Sequence, residues 1–187
     1  MLKDRQNIEK LVETARELDM NVVIVGESGY GKTTQAKLLK YKTLNEILLS
    51  NHSKTNIIYK IKKALGIPYA RNSLKGMFII IDDVELASTT WNALKMLSDY
   101  TGLRYIVFTS DKKKVPKWIL EEAIEYNLKG ITSQEELDFF VKEVMQYEIN
   151  LKYEEQMNSL RYYKQKLVKT LFSQMIEEKK ERRVKHA

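Results

Sequence analysis

The stretch Gly26-Glu27-Ser28-Gly29-Tyr30-Gly31-Lys32-Thr33-Thr34 has the residue types and spacing to hold a phosphate chain. It fits G-x-x-x-x-G-K-[ST] at every fixed position, with an apolar run, Asn21–Val25, before it and a helical pattern after it. Gly26, Gly29 and Gly31 allow the backbone to curl until its N–H groups converge on phosphate oxygens. The positive end of the following helix adds to that attraction. Lys32 is expected to reach the β- and γ-phosphates and the Thr33 hydroxyl to ligate Mg²⁺. Thr34 either donates to the α-phosphate or simply opens the helix.

A magnesium–nucleotide site also needs a carboxylate at the end of a neighbouring strand. Phe78-Ile-Ile-Ile-Asp82-Asp83-Val-Glu85 supplies it. Asp82 closes the apolar run and is expected to hold the metal through water. Asp83 is the candidate that orients or deprotonates the attacking water, with Glu85 second; the alternative is an Asp-Asp pair that only caps a turn. A third apolar run, Arg104–Thr109, ends in Thr109, Ser110 and Asp111. Thr109, ahead of Ser110, is the candidate for sensing the γ-phosphate, against the alternative of an ordinary strand end.

These loops need a scaffold, and the rest of the chain predicts one. Strands are expected at 21–25, 46–49, 76–82, 104–109 and 127–131. Helical patterns fall between them: 4–18, 33–44, a segment capped by Ser53 and ended by Gly66, one capped by Thr89 or Thr90, and one from Pro116 to about 125. Strands alternating with helices imply an α/β three-layer sandwich with a mainly parallel sheet. Strand signals stop near 131, so residues 1–131 form the expected core and 132–187 a helical, lid-like segment. That segment opens on the capping box Ser133–Glu136, with a helix to about Tyr147, and is mostly helical from Leu151 onward.

Composition narrows the classes. The 187 residues contain no Cys, which removes disulfides and thiolate metal sites and fits a cytoplasmic protein. No apolar run is long enough to cross a bilayer, the first ten residues lack an apolar signal region, and no membrane partner is expected. His52 and His186 have no partner at metal-ligand spacing. Of the net charge of +7, residues 152–187 supply +5, from ten Lys/Arg against five Asp/Glu. Their end could follow a phosphate backbone, with Tyr162 and Tyr163 stacking on bases; the alternative is a solvated helix. Leu160, Tyr163, Leu167, Leu171 and Met175 lie three or four apart, one face that can dock on the domain or on a partner helix.

In order, DRQNIEKL, VVIVGESGYGKTT, FIIIDDVE and YIVFTSD resemble the AAA+ ATPases, in particular their initiator-like and transposition-helper branch, over about 1–140. The resemblance implies a P-loop NTPase sheet of five strands in the order 5-1-4-3-2, ATP as the nucleotide, and oligomerisation that completes the site between subunits. It further implies assembly on DNA or a nucleoprotein partner. Two departures stand out. Asp83 occupies a position where the family usually has Glu, which implies slow hydrolysis. The Asp-Asp pair is also similar to the STAND ATPases, which act more as nucleotide-dependent switches. No arginine stands in a recognisable motif for a lid sensor or a finger; Arg104 and Arg161 are the open candidates.

Overall fold

Three of the apolar runs become neighbouring parallel strands of one sheet. In the computed structural model, which describes residues 3–49, 56–66, 73–82 and 86–185, these are β1 (Asn21–Val25), β2 (Phe78–Asp82) and β3 (Arg104–Thr109). A fourth, β4 (Ala123–Asn127), pairs with β1, and the order across the sheet is β2-β3-β1-β4 with every pair parallel. Val22, Val23, Ile24, Ile79, Ile80 and Ile106 are fully buried, as β-branched residues are in a sheet covered on both faces.

Helices provide that cover: α1 (Lys3–Glu17), α2 (Lys32–Leu38), α3 (Leu44–Leu49), α4 (Ile57–Ala64), α5 (Ser88–Thr101) and α6 (Lys117–Leu120). Val23, Ile79, Ile81, Tyr105 and Val107 form one core with Leu44 and Ile47 of α3, Ile61 of α4, Leu94 and Leu97 of α5, and Ile119 of α6. Helix α5 stops at Gly102, whose φ of 72° is the left-handed cap that glycine adopts without a Cβ penalty. Its N-terminal cap is Ala87 rather than the predicted Thr89 or Thr90; Ser53, the predicted cap of the preceding helix, lies outside the described residues, and Asn56 caps α4.

The expected second strand at 46–49 is the helix α3, so the sheet has four strands among the described residues rather than five. The local reason is a capping box. The Thr43 hydroxyl accepts from Glu46 N–H at 3.2 Å, and the Glu46 carboxylate accepts from Thr43 N–H at 3.0 Å. Leu44 and Ile47, three apart, are then both buried. Among the described residues, a single parallel bridge from Thr43 to Ile80 stands in place of a further strand. The predicted helix from Pro116 to 125 also shrinks to α6, and β4 begins at Ala123 rather than Asn127. Its residues alternate between half-buried and exposed, the pattern of an edge strand, so no continuous apolar run marks it.

The chain divides into two compact units. The first, Asp4–Glu27 with Lys32–Leu128, holds the sheet. The second comprises Met1–Lys3, Ser28–Gly31 and Lys129–Ala187. It contains α7 (Gln134–Phe139), a π-helical turn at Phe140–Val144, and the long α8 (Leu160–Lys185). Ile131, Leu137, Phe140, Val141, Leu151, Leu160, Tyr163 and Leu167 form its core. Ser133 caps α7, but the buried Glu136 carboxylate reaches back to Thr132 N–H (2.8 Å) rather than to Ser133. The regular helix ends at Phe139 instead of Tyr147, and residues 150–159 are not helical.

Candidate functional site

Parallel pairing brings three strand ends to one edge of the sheet. Val25 is in register with Thr109, and Asp82 with Phe108. The chain leaves β1 at Gly26, whose N–H donates to Thr109 O at 3.0 Å. A Cβ on Gly26 would stand 2.9 Å from Cβ of Leu128, closer than real contacts allow, so the position needs glycine for space. Gly29 and Gly31 need it for conformation, with φ of 90° and 91°.

Lys32 opens α2 and is buried. Its ammonium donates to Gly26 O at 2.8 Å and Glu27 O at 3.1 Å. An ammonium has three donors, so a third remains to bind an anion. Thr33 and Glu27 are exposed and Thr34 is half-buried. Asp82 ends β2 and is half-buried. Asp83 and Glu85 lie outside the described residues. Thr109 is buried at the expected edge, and its hydroxyl serves its own turn, donating to Asp111 O (2.9 Å) and accepting from Asp111 N–H (3.1 Å). Ser110 is exposed.

The loop segment Ser28–Gly31 groups with the second unit, and three residues there went unnoticed in the sequence or were left open: Ser159, Leu160 and Arg161. Arg161 N–H and the Ser159 hydroxyl both donate to Gly29 O, each at 3.4 Å. A Cβ on Gly29 would overlap Ser159, and one on Gly31 would overlap Leu160. These glycines therefore serve close approach as well as backbone curvature. No local motif at 159–161 signals the contact, because its partner lies 130 residues earlier.

Arg104, the other open candidate, stands at the start of β3, at the opposite edge of the sheet. Its guanidinium pairs with Asp19 (3.2 Å) and Glu122 (2.7 Å). Burial alone would lower its pKa, but the hydrogen bonds and charge of Asp19 and Glu122 raise it above the ordinary value. In the DRQN stretch, Asp4 is buried and accepts from the Tyr126 hydroxyl at 2.6 Å, and Asn7 donates to the same oxygen at 3.1 Å. Those residues fasten α1 to β4.

No protein-family profile and no curated protein sequence matches the chain. Solved structures do. AMPPCP-bound DnaA from Aquifex aeolicus aligns over 94% of this chain and 63% of its own, with 14% identity and a TM-score of 0.52. The chain shares its fold with that nucleotide-bound structure. The present chain spans less than two thirds of that structure. Two other similar structures are PCH-2 from C. elegans (TM-score 0.47, 17% identity, 77% of this chain and 46% of that one) and a STAND protein with a tetratricopeptide repeat sensor from Pyrococcus horikoshii (0.41, 19%, 76% and 26%). Both scores are too low to add to the argument. The parallel sheet brings Gly26, just after β1, to the same edge as Asp82 and Thr109.

Among the described residues, no group of three or more His, Asp or Glu could hold a metal ion unaided. No helix among the described residues is long and apolar enough to cross a membrane.

Proposed function

We propose that the chain is an AAA+ type ATPase that couples Mg-ATP binding and slow hydrolysis to assembly on DNA or a nucleoprotein partner. The observation that carries this reading is the buried Lys32 ammonium, held against the Gly26 and Glu27 carbonyls at the edge of the sheet that also carries Asp82. On ATP binding the ammonium turns part of its donor capacity to the β- and γ-phosphates. The backbone N–H groups of Glu27–Thr34 wrap the phosphate chain, and the glycines make room for it. Thr33 and Asp82 hold Mg²⁺, which neutralises charge on the phosphates. Asp83 orients the attacking water, and its carboxylate, one methylene shorter than Glu, makes turnover slow. Thr109 senses the γ-phosphate by exchanging a bond of its own turn for one to phosphate. ATP favours self-assembly, and the basic α8 contributes to holding the partner.

A nucleotide switch with little turnover is the second reading, favoured by Asp at position 83. Steady-state phosphate release with and without duplex DNA separates the two. The ATPase reading expects release that DNA stimulates and Lys32→Ala abolishes. Tight ATP binding with negligible release in every condition would leave the switch.

A further inference from the structure

Helix α8 has two apolar faces, and only one is used by its own unit. Leu160, Tyr163 and Leu167 are buried in the core of the second unit. Val168, Phe172, Met175 and Ile176 are 56%, 64%, 56% and 40% exposed. At about 100° per residue these four fall within an arc of roughly 100°, centred about 120° from the buried face. They follow the i, i+4, i+7, i+8 spacing by which a helix inserts anchors into a groove. Four large apolar side chains at adjoining positions form a patch, unlike apolar residues scattered singly over a surface.

The charges around the patch select its occupant. Lys164 borders the arc on one side and Lys169 on the other, and Arg161 continues it toward the helix start; all three are exposed. Residues 161–176 include no Asp or Glu. A second copy of the chain would bring the same cations against these, so like charge disfavours self-pairing here. DNA would meet the basic margin but gain nothing from burying Phe172 and Ile176, since phosphate contacts dominate that affinity. The patch is about 12 Å long, between Val168 and Ile176. That is short for a helix lying on a lipid surface, and it matches about two turns seated on a protein.

We infer that the outer face of α8, with Phe172 at its centre, docks a protein partner that presents an apolar seam edged by Asp and Glu. This inference does not rest on nucleotide binding. It narrows the partner to a protein surface of defined chemistry, recognised by apolar anchors for affinity and by acidic margins for specificity.

The probe is a designed helical peptide with leucines along one seam and glutamates on both margins. Its twin carries the same seam with lysines on the margins. Fluorescence anisotropy on the full chain, without nucleotide, measures both, so that failure here leaves the nucleotide reading standing. The acidic peptide should bind at least about tenfold more tightly than its twin, and added salt should narrow the gap. Phe172→Asp should weaken it by about tenfold or more, and Lys164→Glu with Lys169→Glu should reverse the preference between the twins. Phe172 is exposed, so its replacement should leave the circular dichroism melt unchanged, which separates lost binding from lost fold. No binding of the acidic peptide, equal binding of both peptides, or indifference to Phe172→Asp overturns the inference. So does Phe172-dependent binding of duplex DNA, or of phosphatidylcholine–phosphatidylglycerol vesicles, that the acidic peptide does not displace.

Discussion

The two edges of the parallel sheet both carry charge and use it in opposite ways. At the starting edge, Arg104 is closed in by Asp19 and Glu122, and its donors are spent on carboxylates. At the finishing edge, Lys32 is just as close to oxygen, but among the described residues it donates to the neutral carbonyls of Gly26 and Glu27. A cation already paired with carboxylates has little to gain from a phosphate. One held by two carbonyls can exchange them for a stronger, charged acceptor. Parallel pairing separates these environments by the length of a strand, so one sheet carries a structural clamp at one end and the proposed anion site at the other.

Substitutions at the two edges should therefore fail in different assays. The largest expected effect is Lys32→Ala: loss of a charge-assisted bond to phosphate should weaken ATP roughly 10- to 100-fold by titration calorimetry. Arg104→Ala should do the reverse, costing about 1–2 kcal/mol of stability in denaturant unfolding, since the pair is only partly buried, while ATP affinity stays within about twofold. An equal loss of ATP affinity in both variants would erase the distinction between the edges.

A smaller effect belongs to the second unit. Glu154 accepts from Lys166 (2.5 Å) and from the Tyr162 hydroxyl (2.9 Å), and these hydrogen bonds hold its carboxyl below the ordinary value. A carboxyl with a lower pKa folded than unfolded stabilises the fold fully above the ordinary carboxylate range. The gain disappears as pH falls through the folded value. Glu154→Gln should accordingly lower the melting temperature slightly near neutral pH and converge with wild type in acid. The shift is small because the Glu154 side chain keeps 43% of its exposure to solvent.

Much of the finishing edge is legible in the sequence because its parts are local. The glycine loop is one uninterrupted stretch, and β1, β2 and β3 are apolar runs that end at Gly26, Asp82 and Thr109. Thr43-Leu-Asn-Glu46-Ile-Leu-Leu misled because three apolar residues in a row suit a buried strand as well as a helix. The Thr43–Glu46 capping box decides between them. Strand β4 was misplaced because an edge strand, half-exposed, does not have the apolar continuity of its neighbours. The approach of Ser159 and Leu160 to the loop glycines joins residues far apart in the chain, and so does the clamp of Arg104 by Asp19 and Glu122. No periodicity or motif encodes such pairs. They follow only once the strands are aligned and the helices are packed.

Hydrogen–deuterium exchange with and without Mg-ATP tests the difference between the edges most directly. The account predicts new protection over 26–34, with a lesser gain near 82 and 109, and no change around 19, 104 and 122. Unchanged exchange over the glycine loop at saturating Mg-ATP, or protection confined to the Arg104 edge, would contradict it.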